Sequence, residues 1–91
     1  MKTDKYAFSK LAWEDFNYWL EKDNKVVKKI NELLKDIMRN GALSGIGKPE
    51  MLKGDKSGWY SRHITQKHRL VYRIVNDTIE ISGCRNHYDD K

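Results

Sequence analysis

The sequence has few of the residues that build disulfide-bonded or membrane-spanning proteins. Among its 91 residues are one cysteine and one proline, and the single Cys84 excludes an intramolecular disulfide, which favours a reducing compartment. The longest apolar runs fall far short of the roughly 20 residues that a membrane-spanning helix needs. No charged segment leads into an apolar segment with a small-residue cleavage site. We therefore expect a soluble intracellular protein with no membrane contact.

Acidic residues are outnumbered by basic ones. The chain carries 13 Asp and Glu against 18 Lys and Arg, a formal net charge of +5. This excess predicts attraction to a polyanion such as nucleic acid, or to an acidic protein, without distinguishing the two. The hydrophobic content of 38% over this length predicts one domain, residues 1–91, with a modest core.

The N-terminal half has the periodicity of one strand and two helices. "KYAF", residues 5–8, can form a strand, and Ser9 is a suitable N-cap for a helix to about Lys22. Asp23 or Asn24 can cap a second helix that ends near Arg39 before "RNG". The inward face of the first helix is predicted to carry Ala12, Phe16, Trp19 and Leu20. That of the second carries Val26, Val27, Ile30, Leu33, Leu34, Ile37 and Met38, with Asp36 among the polar residues opposite.

The C-terminal half reads as strands that follow a glycine-rich stretch. Five of six glycines and the only proline lie within residues 41–58, which predicts irregular structure. Strand patterns occupy 59–65, 69–75 and 78–86, with a hairpin turn at 76–77. The predicted fold class is α+β, with two helices on one face of a mainly antiparallel sheet of about four to five strands. On the strand at 69–75, Arg69 and Arg73 point away from the helices, so the other face of the sheet is predicted to be basic.

Four elements bring candidate chemical groups together in this topology: the glycine-rich loop, one strand, the start of the next strand and the closing "CRNHYDDK". A carboxylate, imidazoles and guanidinium groups can cleave a phosphodiester without a metal. A base removes the ribose 2′-OH proton, cations stabilise the phosphate, and an acid protonates the departing 5′ oxygen. The residues are Lys48, Glu50, Lys53, Arg62, His63, His68, Arg69, Arg85, His87 and Tyr88.

Each of these residues also has a simpler interpretation. His63 and His68 are typical of ordinary strand and turn positions, Glu50 of a solvated loop, and Lys48 and Lys53 of solubilising charge. The aromatic pair Trp59 and Tyr60 can stack bases, although we favour a core position for at least one of them. The histidines and Cys84 match no common zinc-ligand spacing, so no metal or cofactor is expected. Residue types and spacing alone favour nucleic-acid binding over catalysis.

Four segments together resemble the YoeB/Txe toxins of the RelE-like superfamily, from about residue 6 to residue 88. They are "VKKINELLKDI" (27–37), "GIGKPEMLKGDKSGWYSRHIT" (45–65), "HRLVY" (68–72) and "CRNHY" (84–88). The resemblance implies a RelE-like, microbial-ribonuclease-type fold and a messenger RNA interferase of the bacterial cytoplasm. Such an enzyme cuts the codon in the ribosomal A site. Its implied partners are the ribosome with its messenger RNA, a YefM-like antitoxin and, through the antitoxin complex, operator DNA; a homodimer is left open.

The resemblance also implies roles for individual residues. Glu50 is the general base, Arg69 holds the scissile phosphate and His87 is the general acid. Tyr88 positions the RNA, and Lys53 neutralises phosphate. Lys48, Arg62, His63 and Arg85 are further predicted RNA-binding residues. The sequence departs from the family pattern in three places: His63 replaces the second arginine of "SRR", Gln66 and Lys67 replace acidic residues, and "DDK" follows the terminal "HY".

Two other functions compete with the interferase. A toxin of the same fold can inhibit a protein such as DNA gyrase, as in the ParE branch, and would not need Glu50 or His87. A non-catalytic nucleic-acid-binding protein can act only with its antitoxin on operator DNA, in which case lysine substitutions weaken binding evenly and no cut RNA appears.

Overall fold

The computed structural model describes residues 5–86 and places two helices on one face of a five-stranded sheet, which confirms the predicted α+β class. The short β2 lies inside the stretch that was predicted to be irregular. The elements are β1 (Lys5–Phe8), α1 (Lys10–Lys22), α2 (Asn24–Asn40), β2 (Glu50–Met51), a 3₁₀ turn (Gly54–Lys56), β3 (Tyr60–His63), β4 (Arg69–Val75) and β5 (Thr78–Gly83).

The sheet has the strand order β1-β5-β4-β3-β2. Strands β2 to β5 form an antiparallel meander, whereas β1 pairs in parallel with β5. The chain therefore crosses from one edge to the other through both helices and then returns strand by strand. The predicted hairpin at Asn76 and Asp77 is confirmed, since both residues have positive φ, as a type I′ turn requires.

Short polar side chains set the helix boundaries. The Ser9 hydroxyl accepts a hydrogen bond from the N–H of Ala12 and begins α1, while the Ser9 backbone N–H donates to Ile81 of β5. The Asp23 carboxylate accepts from the N–H of Lys25 and begins α2 directly after α1 ends. The predicted caps are therefore confirmed, and α1 is tied to the sheet at its first turn.

The core lies between the helices and the inner face of the sheet. On α2 the predicted inward face is confirmed, with Val27 and Met38 half-buried at its margins. On α1 the prediction for Leu20 is wrong, because this side chain is 46% exposed. The buried face of α1 instead includes Asp15, a carboxylate that accepts the N–H of Cys84. The buried cluster is Ala12, Trp19, Val26, Ile30, Leu33, Leu34, Ile37, Ile64, Leu70, Tyr72, Ile79, Ile81 and Cys84.

Arg62 of β3 is the largest polar side chain in this interior, with 0% exposure. Its five N–H donors all reach acceptors. The prediction that Arg62 binds RNA is therefore wrong, because the guanidinium is buried and its donors are used inside the protein. The acceptors are the Tyr72 hydroxyl (2.9 Å), Asp36 Oδ2 (2.6 Å) and the carbonyls of Ile46 (3.0 Å), Gly41 (2.8 Å) and Ser44 (2.8 Å).

Asp36 of α2 is the counter-charge of Arg62, and its predicted place on the polar outer side of α2 is wrong. Besides the guanidinium, its carboxylate accepts from the Asn40 side chain and the N–H of Ile46. Gly45 passes so close to Asp36 that an added Cβ would overlap the carboxylate. Burial alone would raise the pKa of Asp36, but these hydrogen bonds and the Arg62 charge hold the pKa below its ordinary value.

Replacing Arg62 by methionine should destabilise the folded protein. We expect Arg62→Met to lower the free energy of unfolding by about 3 kcal/mol, because the Asp36 carboxylate then stays buried without a counter-charge. Urea denaturation measures this loss. The matched control, Arg39→Met at an exposed position of α2, should change stability by less than about 0.5 kcal/mol. Equal losses in the two variants would contradict the assigned role.

The depressed pKa of Asp36 predicts acid sensitivity. The stability contributed by the ionised carboxylate is complete above the ordinary pKa of 3.8 and is lost as pH falls through the lower folded-state value. The difference in unfolding free energy between wild type and Asp36→Asn should be constant above about pH 5 and shrink below about pH 4. Denaturation at a series of pH values measures it, and a difference that grows with acid would contradict the ion pair.

Candidate functional site

The register of the sheet places the predicted base and the predicted phosphate-binding residue on one face. Glu50 pairs with Ser61, and two positions along β3 His63 pairs with Arg69. Paired residues share a face, as do residues two apart, and the intervening Arg62 faces the helices. Glu50, His63 and Arg69 therefore lie on the helix-free face. Strand spacing and rise put the Cα atoms of Glu50 and Arg69 roughly 12 Å apart, a span that two long side chains can narrow.

The segment that carries Glu50 is fixed at both ends. The Gly47 carbonyl accepts the N–H of His63 at 2.7 Å, and Gly47, with φ +83, lies where an added Cβ would approach Leu33 at 2.8 Å. Beyond Glu50, the buried Leu52 donates its N–H to the carbonyl of Trp59. Lys48, Glu50 and Lys53 are exposed along this fixed segment, so two ammonium groups flank the carboxylate in sequence.

Arg69 begins β4 and is half-buried. Its Nη1 donates to the carbonyls of Thr65 (3.3 Å), Gln66 (2.9 Å) and His68 (3.4 Å), so the side chain lies against the β3–β4 loop. Its backbone N–H donates to the carbonyl of Asn86 at 3.2 Å. The backbone of Arg69 is thus joined to the chain that follows β5, while its guanidinium is held against the β3–β4 loop.

The rest of the open face is less basic than predicted. The Arg73 guanidinium lies 4.4 Å from the centroid of the Trp59 ring and pairs with Glu80 at 2.7 Å. Its charge is therefore neutralised locally. Tyr60 stacks against the buried Tyr72 with ring centroids 5.8 Å apart, which agrees with the expectation that one of the two aromatics at 59 and 60 is a core residue.

The segment after β5 is held by α1. The N–H of Cys84 donates to Asp15 at 3.0 Å, and its carbonyl accepts from Trp19 Nε1 at 2.9 Å. The Arg85 guanidinium lies 3.6 Å from the centroid of the Tyr18 ring. Arg85 thus stands beside α1, and its assignment to RNA stays a prediction. His87 and Tyr88 lie outside the described residues, and their roles also stay predictions.

Residue types alone did not identify the buried anchors of this segment. The sequence pattern does not single out Asp15, and it predicts Trp19 only as a core residue. The spacing of Ala12, Asp15 and Trp19, three and then four residues, was the available signal, because it places the carboxylate on the buried face of α1.

Within residues 5–86 no three His, Cys, Asp or Glu side chains are grouped so that they could hold a metal ion. In the same range no helix is long and apolar enough to cross a membrane. Burial, and secondarily the charge of Asp15, raise the pKa of the Cys84 thiol to about 12. This cysteine is therefore a packing residue of the core.

The sequence matches the family described as "YoeB-like toxin of bacterial type II toxin-antitoxin system" over residues 8–88. It is 50% identical over 84 residues to Toxin YoeB of Escherichia coli K12, a match that covers 92% of this chain and 99% of that protein.

Solved structures agree with this match. The fold is similar to that of YoeB in the heterotetrameric YoeB-YefM toxin-antitoxin complex of Staphylococcus aureus, with a TM-score of 0.88, 55% identity and coverage of 92% and 97% of the two chains. For the YoeB dimer of the same organism the TM-score is 0.89 and the identity 53%, with coverage of 94% of this chain and 99% of that chain. For a YoeB/ParE toxin from Agrobacterium tumefaciens the TM-score is 0.89 and the identity 40%, with coverage of 93% of this chain and 100% of that chain.

The buried thiol gives a direct test of the anchored strand end. Native protein at about pH 8 should react with iodoacetamide at Cys84 at least about 100-fold more slowly than the urea-unfolded chain, because the thiolate is disfavoured and inaccessible. Mass spectrometry measures the alkylated fraction with time. Fast labelling of the native protein would show that the segment after β5 is not held against α1.

Proposed function

The chain belongs to the YoeB-like toxins of bacterial type II toxin-antitoxin systems, and from that premise we propose that it is an endoribonuclease that cuts messenger RNA in the ribosomal A site. The observation that supports this proposal best is the placement of Glu50 and Arg69 on one helix-free face of the sheet. The backbone of Arg69 also contacts Asn86, the residue before His87.

The proposed reaction is a metal-free transfer within the RNA. Glu50 accepts the proton of the ribose 2′-OH, whose oxygen attacks the neighbouring phosphorus. Arg69 stabilises the charge that grows on the phosphate oxygens, and His87 donates a proton to the departing 5′ oxygen. The products are a 2′,3′-cyclic phosphate and a 5′-OH end, and Tyr88 positions the RNA.

Charges around Glu50 supply the rest of the proposed RNA site. Lys48 and Lys53 are exposed on the same anchored segment, where ammonium groups neutralise phosphates without reading sequence. His63 shares the open face with Arg69. It offers a titratable group at a position where the family carries an arginine, so this contact should be weaker and more sensitive to pH than a guanidinium contact. With Arg62 committed to the core, Arg69 carries the main phosphate interaction on this face.

The ribosome is proposed as the partner that orients the RNA. Glu50 is exposed at the edge of an open face, and no enclosed cleft is needed if the ribosome holds the codon. Correct orientation of two reacting groups can supply several kcal/mol of the barrier reduction. A small basic protein with an open site is well suited to such an arrangement, since its charge also favours association with ribosomal RNA.

A YefM-type antitoxin is the proposed inhibitor. YoeB of Staphylococcus aureus, 55% identical to this chain, is found in a complex with YefM. An acidic segment that is disordered when free can order itself on the basic groups around Arg69 and thereby block the site. We extend the proposal to operator DNA binding by that complex, to a homodimer like that of the same relative, and to a cytoplasmic location.

Inhibition of DNA gyrase is the second candidate, because one relative of the same fold is a YoeB/ParE toxin. An operator-binding protein without catalytic activity is the third. Neither function uses a base and an acid at one phosphate, so substitution of Glu50 and His87 separates both from the interferase.

The test is 5′-end mapping of a defined messenger RNA with and without programmed ribosomes. We expect wild type to cut within the A-site codon only when ribosomes are present. Glu50→Gln and His87→Gln should each lower the rate by about 100-fold or more, the usual contribution of a general base or acid. Glu14→Gln, an exposed position on α1, is the matched control and should cut normally.

Two results would contradict the proposal. Intact RNA on ribosomes, together with growth arrest in cells, would point to a protein target such as gyrase. Normal cutting by both variants would show that other groups carry the acid and base roles.

A further inference from the structure

His68 occupies a fixed position at the end of the β3–β4 loop. Its backbone N–H donates to the Thr65 hydroxyl at 3.0 Å, and its carbonyl accepts from the N–H of Ile64 at 2.9 Å. The loop is therefore closed around His68 by hydrogen bonds on both sides. This fixed backbone restricts where the half-buried imidazole can form hydrogen bonds.

The imidazole packs on a buried aromatic side chain. Its ring centroid lies 4.8 Å from that of Trp19, with the two planes at 75°. Trp19 is itself 7% exposed and donates to the carbonyl of Cys84. This edge-to-face contact limits rotation of the His68 ring and directs its Nδ1 edge toward the chain that follows β5.

The hydrogen-bond partner of His68 Nδ1 is the backbone of Asn86. Its N–H donates to His68 Nδ1 at 2.7 Å, and its carbonyl accepts the N–H of Arg69 at 3.2 Å. Asn86 has φ +74, a left-handed conformation that is unfavourable for most residues and tolerated best by asparagine after glycine. Consecutive residues 68 and 69 therefore hold both sides of one residue in an uncommon conformation.

We infer that His68 is a positioning residue, whose Nδ1 fixes the backbone of Asn86, the residue that precedes His87 in the sequence. This inference rests on the proposed function, in which His87 donates a proton to the leaving oxygen. An imidazole that accepts at Nδ1 is the neutral tautomer with its proton on Nε2. In this role His68 acts through a hydrogen bond to the backbone of Asn86.

Two variants separate this hydrogen bond from ring packing. His68→Phe keeps an aromatic ring against Trp19 but has no acceptor. His68→Asn loses the ring, yet its Oδ1 stands two bonds from Cβ, as Nδ1 does in histidine, and can accept from Asn86. If His68 serves only in packing, His68→Phe should keep the protection of the Asn86 N–H and the cleavage rate better than His68→Asn does. If it is a positioning residue, His68→Asn should keep them better.

The experiment uses the full-length protein and two measurements. Amide hydrogen exchange followed by NMR should show the Asn86 N–H exchanging about tenfold faster in His68→Phe than in wild type, the factor expected for loss of one hydrogen bond. His68→Asn should keep the slow rate. Single-turnover cleavage on programmed ribosomes should fall about tenfold in His68→Phe with unchanged ribosome affinity, and recover in His68→Asn.

Each outcome supports or overturns the assignment. Slow exchange in His68→Phe, or equal loss of cleavage in both variants, overturns it. Absence of cleavage by wild type would refute the proposed function. The exchange rates would then still show, independently, whether His68 orders Asn86.

Discussion

The ion pair between Arg62 and Asp36 is the interaction on which the rest of the structure depends. A guanidinium with no exposure can stay charged in a protein interior only if its donors are satisfied, and here one carboxylate, one phenol and three carbonyls satisfy them. The three carbonyls belong to residues 41–46, where the two large apolar side chains, Leu43 and Ile46, stay exposed. The charge in the core thus replaces hydrophobic packing as the force that folds the glycine-rich loop onto β3.

A second set of polar contacts does the same for the other end of the chain. Asp15 and Trp19 of α1 bind the backbone of Cys84, and residues 68 and 69 bind that of Asn86. Both sets satisfy main-chain groups of irregular segments, where no strand ladder would otherwise do so; all these contacts come from side chains except the one from the N–H of Arg69. Glu50 and Arg69, the residues proposed to act on RNA from the open face, therefore lie on or beside segments whose backbone is held in place by hydrogen bonds.

The sequence predicted the regular elements well because their signals are local. Caps at Ser9 and Asp23, the period of α2 and the turn at Asn76 each depend on a few neighbouring residues, and all agree with the structure. Buried polar residues could not be predicted in this way. Arg62 and Asp36 are 26 positions apart, and nothing in either neighbourhood reveals that each neutralises the other. The resemblance to known toxins led to the wrong prediction for Arg62 for the same reason. A motif gives the residue type at a position but not the face of the sheet on which the side chain lies.

The parallel pairing of β1 with β5 has a consequence for how the molecule forms. The strand made last, β5, lies in the interior of the sheet between β1 and β4, so the N-terminal strand has no partner until residues 78–83 are available. Contacts of such long sequence separation form late and slowly, because a large loop must close first. The same late strand leads into Asn86. A partly synthesised chain that stops before residues 78–83 therefore has neither the parallel β1–β5 pair nor the contacts that hold Cys84 and Asn86.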